Sequence, residues 1–240
     1  MTEKPEGRLS GRIALITGAS RGLGAAVAER FAAEGAHLIL VARTQGGLEE
    51  TDDRVRAAGG TATLVPLDLA QFDEIDRMAA AVAERFGRLD VLVGNAGVLP
   101  PLTPAGHLSP KDWQAAIDVN LTANWRLIRA FDQGLRLSEA GRVIMVTSGA
   151  AMGAFAYWGA YAASKAGLEA LVSSYAQEIE HTKVRANLLD PGTVRTAMRA
   201  QAFPGEDPQT VRAPEEVAPV FVSLAEAACT MHGQVARAYG

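Results

Sequence analysis

Tyr161-Ala162-Ala163-Ser164-Lys165 sets a phenol and a primary amine four residues apart, and Ser148 stands thirteen residues before the tyrosine. On a helix such residues are neighbours on one face, and the apolar positions Leu168, Leu171, Val172 and Tyr175 predict a helix from Trp158 onward. A phenol ionises near pH ~10, so proton exchange at neutral pH needs roughly 4 kcal/mol of preferential stabilisation of the phenolate. The neighbouring ammonium is expected to supply part of it. The chemistry implied is general acid–base catalysis at an oxygen. The same spacing describes an ordinary surface helix pair, so the motif gains meaning from its company: a glycine-rich turn near the start, Asn120 in the middle, and Ser148 after an apolar run.

The elements that must position these groups read as follows. Arg12 to Thr17 is a short apolar run that ends in Gly18-Ala-Ser20-Arg21-Gly22-Leu23-Gly24, after which Val27 and Phe31 recur at helical spacing. Strand, tight turn and helix follow one another. Glycines are needed where the backbone turns with positive φ and approaches a ligand, and the helix start then presents free N–H groups to a phosphate. The Gly-x-x-x-Gly-x-Gly spacing differs from the common Gly-x-Gly-x-x-Gly of dinucleotide folds, and a glycine turn without a ligand is the competing reading. His37 to Arg43 is a second buried strand. A dinucleotide fold that takes NAD places an acid near this point, whereas a 2′-phosphate on the ribose requires arginine. Here Ala42 and Arg43 stand at the strand end and Arg21 inside the turn. Two guanidiniums converging on one phosphate favour NADP(H), with NAD(H) as the alternative and solvated surface arginines as the bland one.

Thr61 to Leu67 predicts a third strand leading into Asp68-Leu69, where the aspartate could accept from an adenine amino group; Gly46 to Ala58 and the amphipathic Gln71 to Phe86 predict the flanking helices. Leu89 to Val93 predicts a fourth strand opening into Gly94-Asn95-Ala96-Gly97. A proline-rich loop, Leu99 to Pro110, precedes one long helix from Lys111 to about Leu137 that carries Asn120, with Ser109 as its N-cap. An asparagine within a helix either bonds its own backbone or points into a crevice. Arg142 to Thr147 is strand five and ends at Ser148. A loop of small and aromatic residues (Met152, Phe155, Tyr157, Trp158) then leads to the tyrosine helix. Val184 to Leu189 is strand six, followed by Asp190-Pro191-Gly192-Thr193-Val194-Arg195-Thr196. Ala197 to Arg212 is neither strongly helical nor strand-like and, within an irregular stretch of about 193–212, suggests a substrate lid. Pro214 to Leu224 predicts a helix and Gly233 to Ala238 a last strand. Six parallel strands alternating with helices make a single-domain α/β fold, a doubly wound Rossmann-type sheet over residues 11–240, with residues 1–10 as a flexible polar tail. Each candidate residue then falls just past a strand's carboxyl end or on the adjoining helix.

Composition narrows the function classes. At 240 residues and 48% hydrophobic, the chain can bury a sizeable core as one domain. A net charge of -4 from 23 basic and 27 acidic residues, spread along the chain, offers no stripe for a nucleic-acid backbone. The polar start lacks a signal-peptide core and no stretch of about 18 apolar residues follows, so no membrane partner and a cytoplasmic location are expected. Cys229 is the single cysteine and reads as buried filler, and His37, His107, His181 and His232 show no metal-ligand spacing, so no metal site is expected.

With these residues in view, the chain resembles the short-chain dehydrogenase/reductase family over essentially its whole length. Thr17 to Gly24 matches the family's glycine motif, Asn95-Ala96-Gly97 its fold-stabilising turn, Asn120 its catalytic asparagine, Ser148 its substrate serine, and Tyr161 with Lys165 its defining pair. Pro191-Gly192, Val194 and Thr196 match the segment that holds the nicotinamide carboxamide. The sequence departs from the family at Gly94 and Asp190, where asparagine is usual. Trp158 to Lys165 and Arg195 to Pro208 look like a bacterial subgroup called YciK-like. The resemblance implies hydride transfer between NADP(H) and a small carbonyl or alcohol. Tyr161 would be the acid/base, Lys165 would lower its pKa and bind the nicotinamide ribose, Ser148 would hold the substrate oxygen, and Asn120 would hold a water linking Lys165 to solvent. Ser20, Leu23 and Leu69 would be further cofactor contacts. A homodimer or homotetramer is also implied, formed through the helices that carry Asn120 and Tyr161.

Three competitors stand beside this reading. A reductase of 3-oxoacyl groups on acyl carrier protein would want a basic patch, for which Arg195, Arg199 and Arg212 are candidates. A non-catalytic NADPH sensor would need no proton relay. An epimerase or dehydratase of longer relatives would want a further substrate domain. The apolar residues of Leu99 to Leu102 and Met152 to Trp158 point to a hydrophobic or medium-sized carbonyl compound.

Overall fold

Strand order explains where a ligand can sit. A computed structural model describes residues 7–153 and 155–239, in which seven parallel strands form one sheet in the order β3-β2-β1-β4-β5-β6-β7. The strands are β1 (Ile13–Thr17), β2 (His37–Ala42), β3 (Thr61–Pro66), β4 (Val91–Gly94), β5 (Arg142–Val146), β6 (Arg185–Asp190) and β7 (Val235–Arg237). The chain winds outward in one direction from β1 to β3 and in the other from β4 to β7. The carboxyl ends of β1 and β4 therefore part at the switch point, where an open α/β sheet leaves a crevice.

The five inner strands read as nearly continuous apolar runs because both their faces are covered. On one side Ala14, Ile16, Leu38, Leu40, Val91, Val93 and Ile144 pack beneath α1 (Gly22–Ala33), α2 (Gln45–Ala57) and α8 (Pro214–Ala225), with Phe31 and Phe221 among the fully buried rings. On the other, Leu15, Ile39, Val41, Leu92, Val143, Met145 and Leu188 pack on α3 (Phe72–Phe86), α5 (Ala123–Leu137) and α6 (Gly159–Glu178). Period-two alternation along each strand assigns successive residues to opposite layers.

The sequence expectations differ from the fold at three places. The helix expected from Lys111 to Leu137 is divided: α4 (Pro110–Ile117) passes into a wider π-type turn at Asp118–Thr122 before α5 resumes. Asn120 lies in that turn. Ala197 to Arg212 is not wholly irregular, since it contains a short helix α7 (Ala197–Ala202) and a 3₁₀ turn at Pro208–Thr210. The polar tail expected at residues 1–10 is too long. Residues 1–6 lie outside the described residues, but Leu9 is fully buried and donates its N–H to Glu34 O at 2.9 Å, and Arg8 pairs with Glu226 at 2.7 Å. One apolar residue anchors a segment whose average composition is polar.

Candidate functional site

All but one of the candidate residues line a single cleft of about 1710 Å³ at the carboxyl ends of the strands, larger than a drug-sized pocket. The exception is Asn120.

The first wall is the turn after β1. Gly18 and Gly22 adopt φ of +66° and +55°, values that side chains resist. Gly24 is fixed by crowding instead, because a Cβ there would lie 2.2 Å from Gly18 O. With this backbone, α1 begins at Gly22 with no side chain capping it, so its first N–H groups face the cleft beside Ser20, Arg21 and Leu23. Thr17 and Asn95 lock this turn to the one after β4. Thr17 Oγ1 accepts from the N–H groups of Asn95 (3.0 Å) and Ala96 (3.1 Å), while Asn95 Nδ2 donates to Thr17 O at 2.9 Å. Arg21 and Arg43 are exposed at the rim, and Asp68, Leu69, Ala96 and Gly97 continue the wall.

The position of Gly94 has a packing reason. A Cβ would fall 2.1 Å from Met145 Sδ and 2.4 Å from Asn124 Oδ1, so those two side chains fill the room that a side chain at 94 would need.

Asn120 does not reach into the crevice. It is fully buried: its Oδ1 accepts from Val98 N at 2.8 Å, and its Nδ2 donates to Val98 O at 3.0 Å and to Ser164 Oγ at 3.0 Å. The π-type turn rotates this side chain toward the loop after β4, so the asparagine clamps the cleft wall. Its own carbonyl accepts from Asn124 Nδ2 at 2.9 Å.

Ser148, two residues past β5, is in extended conformation and lines the cleft, with its hydroxyl accepting from Ala150 N at 3.2 Å. Tyr161 and Lys165 stand one turn apart on α6, both buried, with Lys165 Nζ 5.8 Å from the tyrosine ring centroid and donating to Val146 O at 2.8 Å. The amine is thus committed to a backbone carbonyl and lies over the phenol ring, not at its oxygen. The electrostatics reverse the expected direction. Burial pushes the Tyr161 phenol above its ordinary value; a hydrogen bond with Ser148 opposes this, and the Asp190 carboxylate adds to it. Spacing four residues apart predicted proximity correctly, but it carried no information on desolvation. Burial also lowers Lys165, to about 8.

The last wall is the loop after β6, where Pro191, Gly192, Val194 and Thr196 line the cleft. Asp190 and Tyr239, not foreseen as site residues, also line it, and the Tyr239 hydroxyl donates to Asp190 Oδ2 at 2.6 Å. No local spacing marks that pair, which is 49 residues apart. The 193–212 segment adds Arg199 and Phe203. Phe155, Trp158 and Phe203 form an aromatic rim, with Trp158 edge-on to Tyr161 at 5.8 Å between ring centroids.

Among the described residues no group of three or more His, Cys, Asp or Glu side chains could hold a metal ion, and no helix is long and apolar enough to cross a membrane. Cys229 is only partly buried, packed at the edge of the α8 layer.

Comparison with known proteins gives one consistent family. The family model described as short chain dehydrogenase matches residues 12–207. The chain is 34% identical over 219 residues to the oxidoreductase YciK of Escherichia coli K12, covering 90% of this chain and 86% of that protein. A solved structure of a short chain dehydrogenase from Pseudomonas syringae is similar with a TM-score of 0.94 and 38% identity, covering 98% of this chain and 97% of that one. Another, from Escherichia coli CFT073 and complexed with NADPH, has a TM-score of 0.92 and 32% identity over 99% of this chain and 100% of that one.

Proposed function

The chain belongs to the short-chain dehydrogenase family of oxidoreductases, and on that premise we propose that it transfers a hydride between NADP(H) and a carbonyl or secondary-alcohol carbon. The observation that carries this reading is the meeting of Ser148, Tyr161 and Lys165 with the glycine turn in one cleft.

The residues present fit a dinucleotide phosphate. Gly18, Gly22 and Gly24 let the backbone turn without side chains in the way, and the uncapped start of α1 offers N–H groups and a positive dipole end to the pyrophosphate. Arg21 and Arg43 would hold a ribose 2′-phosphate, and β2 ends at Ala42 with Arg43 next, so no acid stands there for a free 2′-hydroxyl. The relative complexed with NADPH supports the same choice. Bound there, the nicotinamide supplies the hydride, and the protein supplies orientation and electrostatics.

Ser148 would donate to the substrate oxygen and stabilise charge developing on it. Tyr161, held protonated at neutral pH by its burial, would deliver the proton to that oxygen as the carbonyl is reduced. Lys165, buried and anchored on Val146 O, keeps a positive charge against the ring face and would bind the nicotinamide ribose. Asn120 supports the wall by fixing Val98.

Two of the three arginines offered for the acyl-carrier-protein alternative are engaged within the chain, while Arg195 stays exposed. Arg199 makes two 2.6 Å hydrogen bonds to Glu206 and lies 3.6 Å over the Phe203 ring, while Arg212 donates to the Ala238 carbonyl. The apolar and aromatic rim supports a hydrophobic or medium-sized carbonyl compound. A pure sensor would gain nothing from a buried lysine beside a buried tyrosine, which lowers stability. Screening aldehydes, ketones and alcohols by absorbance with NADPH and NADH side by side tests the reading. Turnover of an apolar carbonyl with NADPH preferred supports it, whereas failure to bind NADPH would sink it.

A further inference from the structure

The loop after β6 is held in place by the segment after β7. Asp190, the last residue of β6, is buried, and its carboxylate accepts from the Tyr239 hydroxyl at 2.6 Å and from Gly192 N–H at 3.0 Å. Its carbonyl accepts from Ala238 N–H at 3.0 Å. The Ala238 carbonyl in turn takes an N–H of the Arg212 guanidinium, and Arg212 O accepts from Arg195 N–H at 2.8 Å. The Tyr239 ring lies on Gly192, where φ is +68° and an added Cβ would fall 2.5 Å from the ring's Cδ1. Ala238 and Tyr239 therefore hold the foot of the 193–212 segment at both ends, with Val194 and Arg212 bridged between them.

This arrangement contributes little to the core. Tyr239 is 43% exposed, and its ring forms cleft wall. Its hydroxyl is committed to a buried carboxylate by a short charge-assisted bond, the kind that fixes geometry. Without that hydroxyl, the carboxylate loses one of two donors and is free to rotate, and Gly192 N–H loses its fixed acceptor.

We infer that Tyr239 is a positioning residue: through Asp190 it fixes the Pro191–Thr196 loop in the shape that receives the nicotinamide end of the cofactor, and it tethers the 193–212 segment. The identity of the ligand rests on the NADP(H) reading above; the tether does not.

The test uses three variants of the full chain. Tyr239→Phe keeps the ring on Gly192 and removes the hydroxyl; Asp190→Ala removes the acceptor; Asp190→Asn keeps a side chain able to accept from Gly192 N–H and to bond the Tyr239 hydroxyl. Cofactor-free protein is digested with trypsin and cleavage after Arg195, Arg199 and Arg212 is followed by mass, which reports local opening. NADPH dissociation constants and steady-state kinetics follow. Tyr239→Phe and Asp190→Ala are expected to be cut at these sites about tenfold faster, and to bind NADPH about tenfold more weakly, the effect of one such hydrogen bond. In Tyr239→Phe the KM for NADPH should rise while kcat stays within about twofold, and Asp190→Asn should return cleavage and NADPH affinity close to wild type. Cleavage accelerated evenly along the chain, without the split between KM and kcat, would overturn the positioning role. So would a Tyr239→Phe variant with wild-type cleavage and wild-type NADPH affinity. If the wild-type protein fails to bind NADPH, the cofactor reading falls, and unchanged cleavage in Tyr239→Phe would then overturn the tether as well.

Discussion

Lys165 is held in the site at the expense of stability, so replacing it should make the protein more stable while disabling it. Its pKa falls from 10.5 to about 8 because the amine is buried. The folded state therefore binds fewer protons than the unfolded state between those values. By linkage, the stability lost to the buried ammonium is fully present below pH 8 and recovered as pH rises toward 10.5, where the amine is neutral in both states. The gap corresponds to about 3 kcal/mol at pH 7. Lys165→Met removes the charge and roughly keeps the volume. It also deprives Val146 O of the 2.8 Å donor, a loss of about 1 kcal/mol. The net gain is about 2 kcal/mol at pH 7, or roughly 4–8 °C in Tm for a chain of this length. Differential scanning calorimetry of both proteins at pH 7 and pH 10 checks this. The variant should melt higher at pH 7, and its advantage should shrink toward pH 10. A variant that melts lower at pH 7, or keeps the same advantage at both pH values, would refute the claim that lysine desolvation dominates here.

Two further substitutions probe other parts of the site. Arg43→Ala should raise the KM for NADPH by roughly 10–100-fold and leave that for NADH within about twofold, because the guanidinium is assigned only to the 2′-phosphate; equal losses with both cofactors in steady-state assays would contradict that role. Gly94→Asn places the residue usual in similar sequences where Met145 and Asn124 already stand, and it should destabilise by about 1–3 kcal/mol through overpacking, measured by urea unfolding, with unchanged stability as the contrary result.

The sheet was legible because both faces of the five inner strands are buried, which leaves unbroken apolar runs such as Leu38 to Ala42 and Val143 to Val146. The cleft was legible because glycines and short polar residues cluster past strand ends, and nearly all of them line it. What the sequence hid depends on three-dimensional context. The π-type turn at Asp118–Thr122 has no periodicity signal of its own, so Asn120 read as a mid-helix residue facing either its own backbone or the cleft, when it binds Val98. Burial of Tyr161 decides the direction of its pKa, and the residues gathered around it include the Leu99–Leu108 loop, some sixty residues away in sequence, beside the neighbouring Trp158. Asp190 looked like a local departure until Tyr239 supplied its partner. Leu9 was concealed by its polar neighbours.

The central claim is that Tyr161 passes the proton while the cofactor passes the hydride. Tyr161→Phe removes a single oxygen from a buried ring, so NADPH should bind with wild-type affinity by fluorescence titration. Single-turnover reduction of a carbonyl substrate accepted by the wild-type protein should fall by roughly 10²–10⁴-fold, the scale of lost general-acid catalysis. Retention of more than about a tenth of the wild-type rate, with cofactor binding intact, would contradict the account.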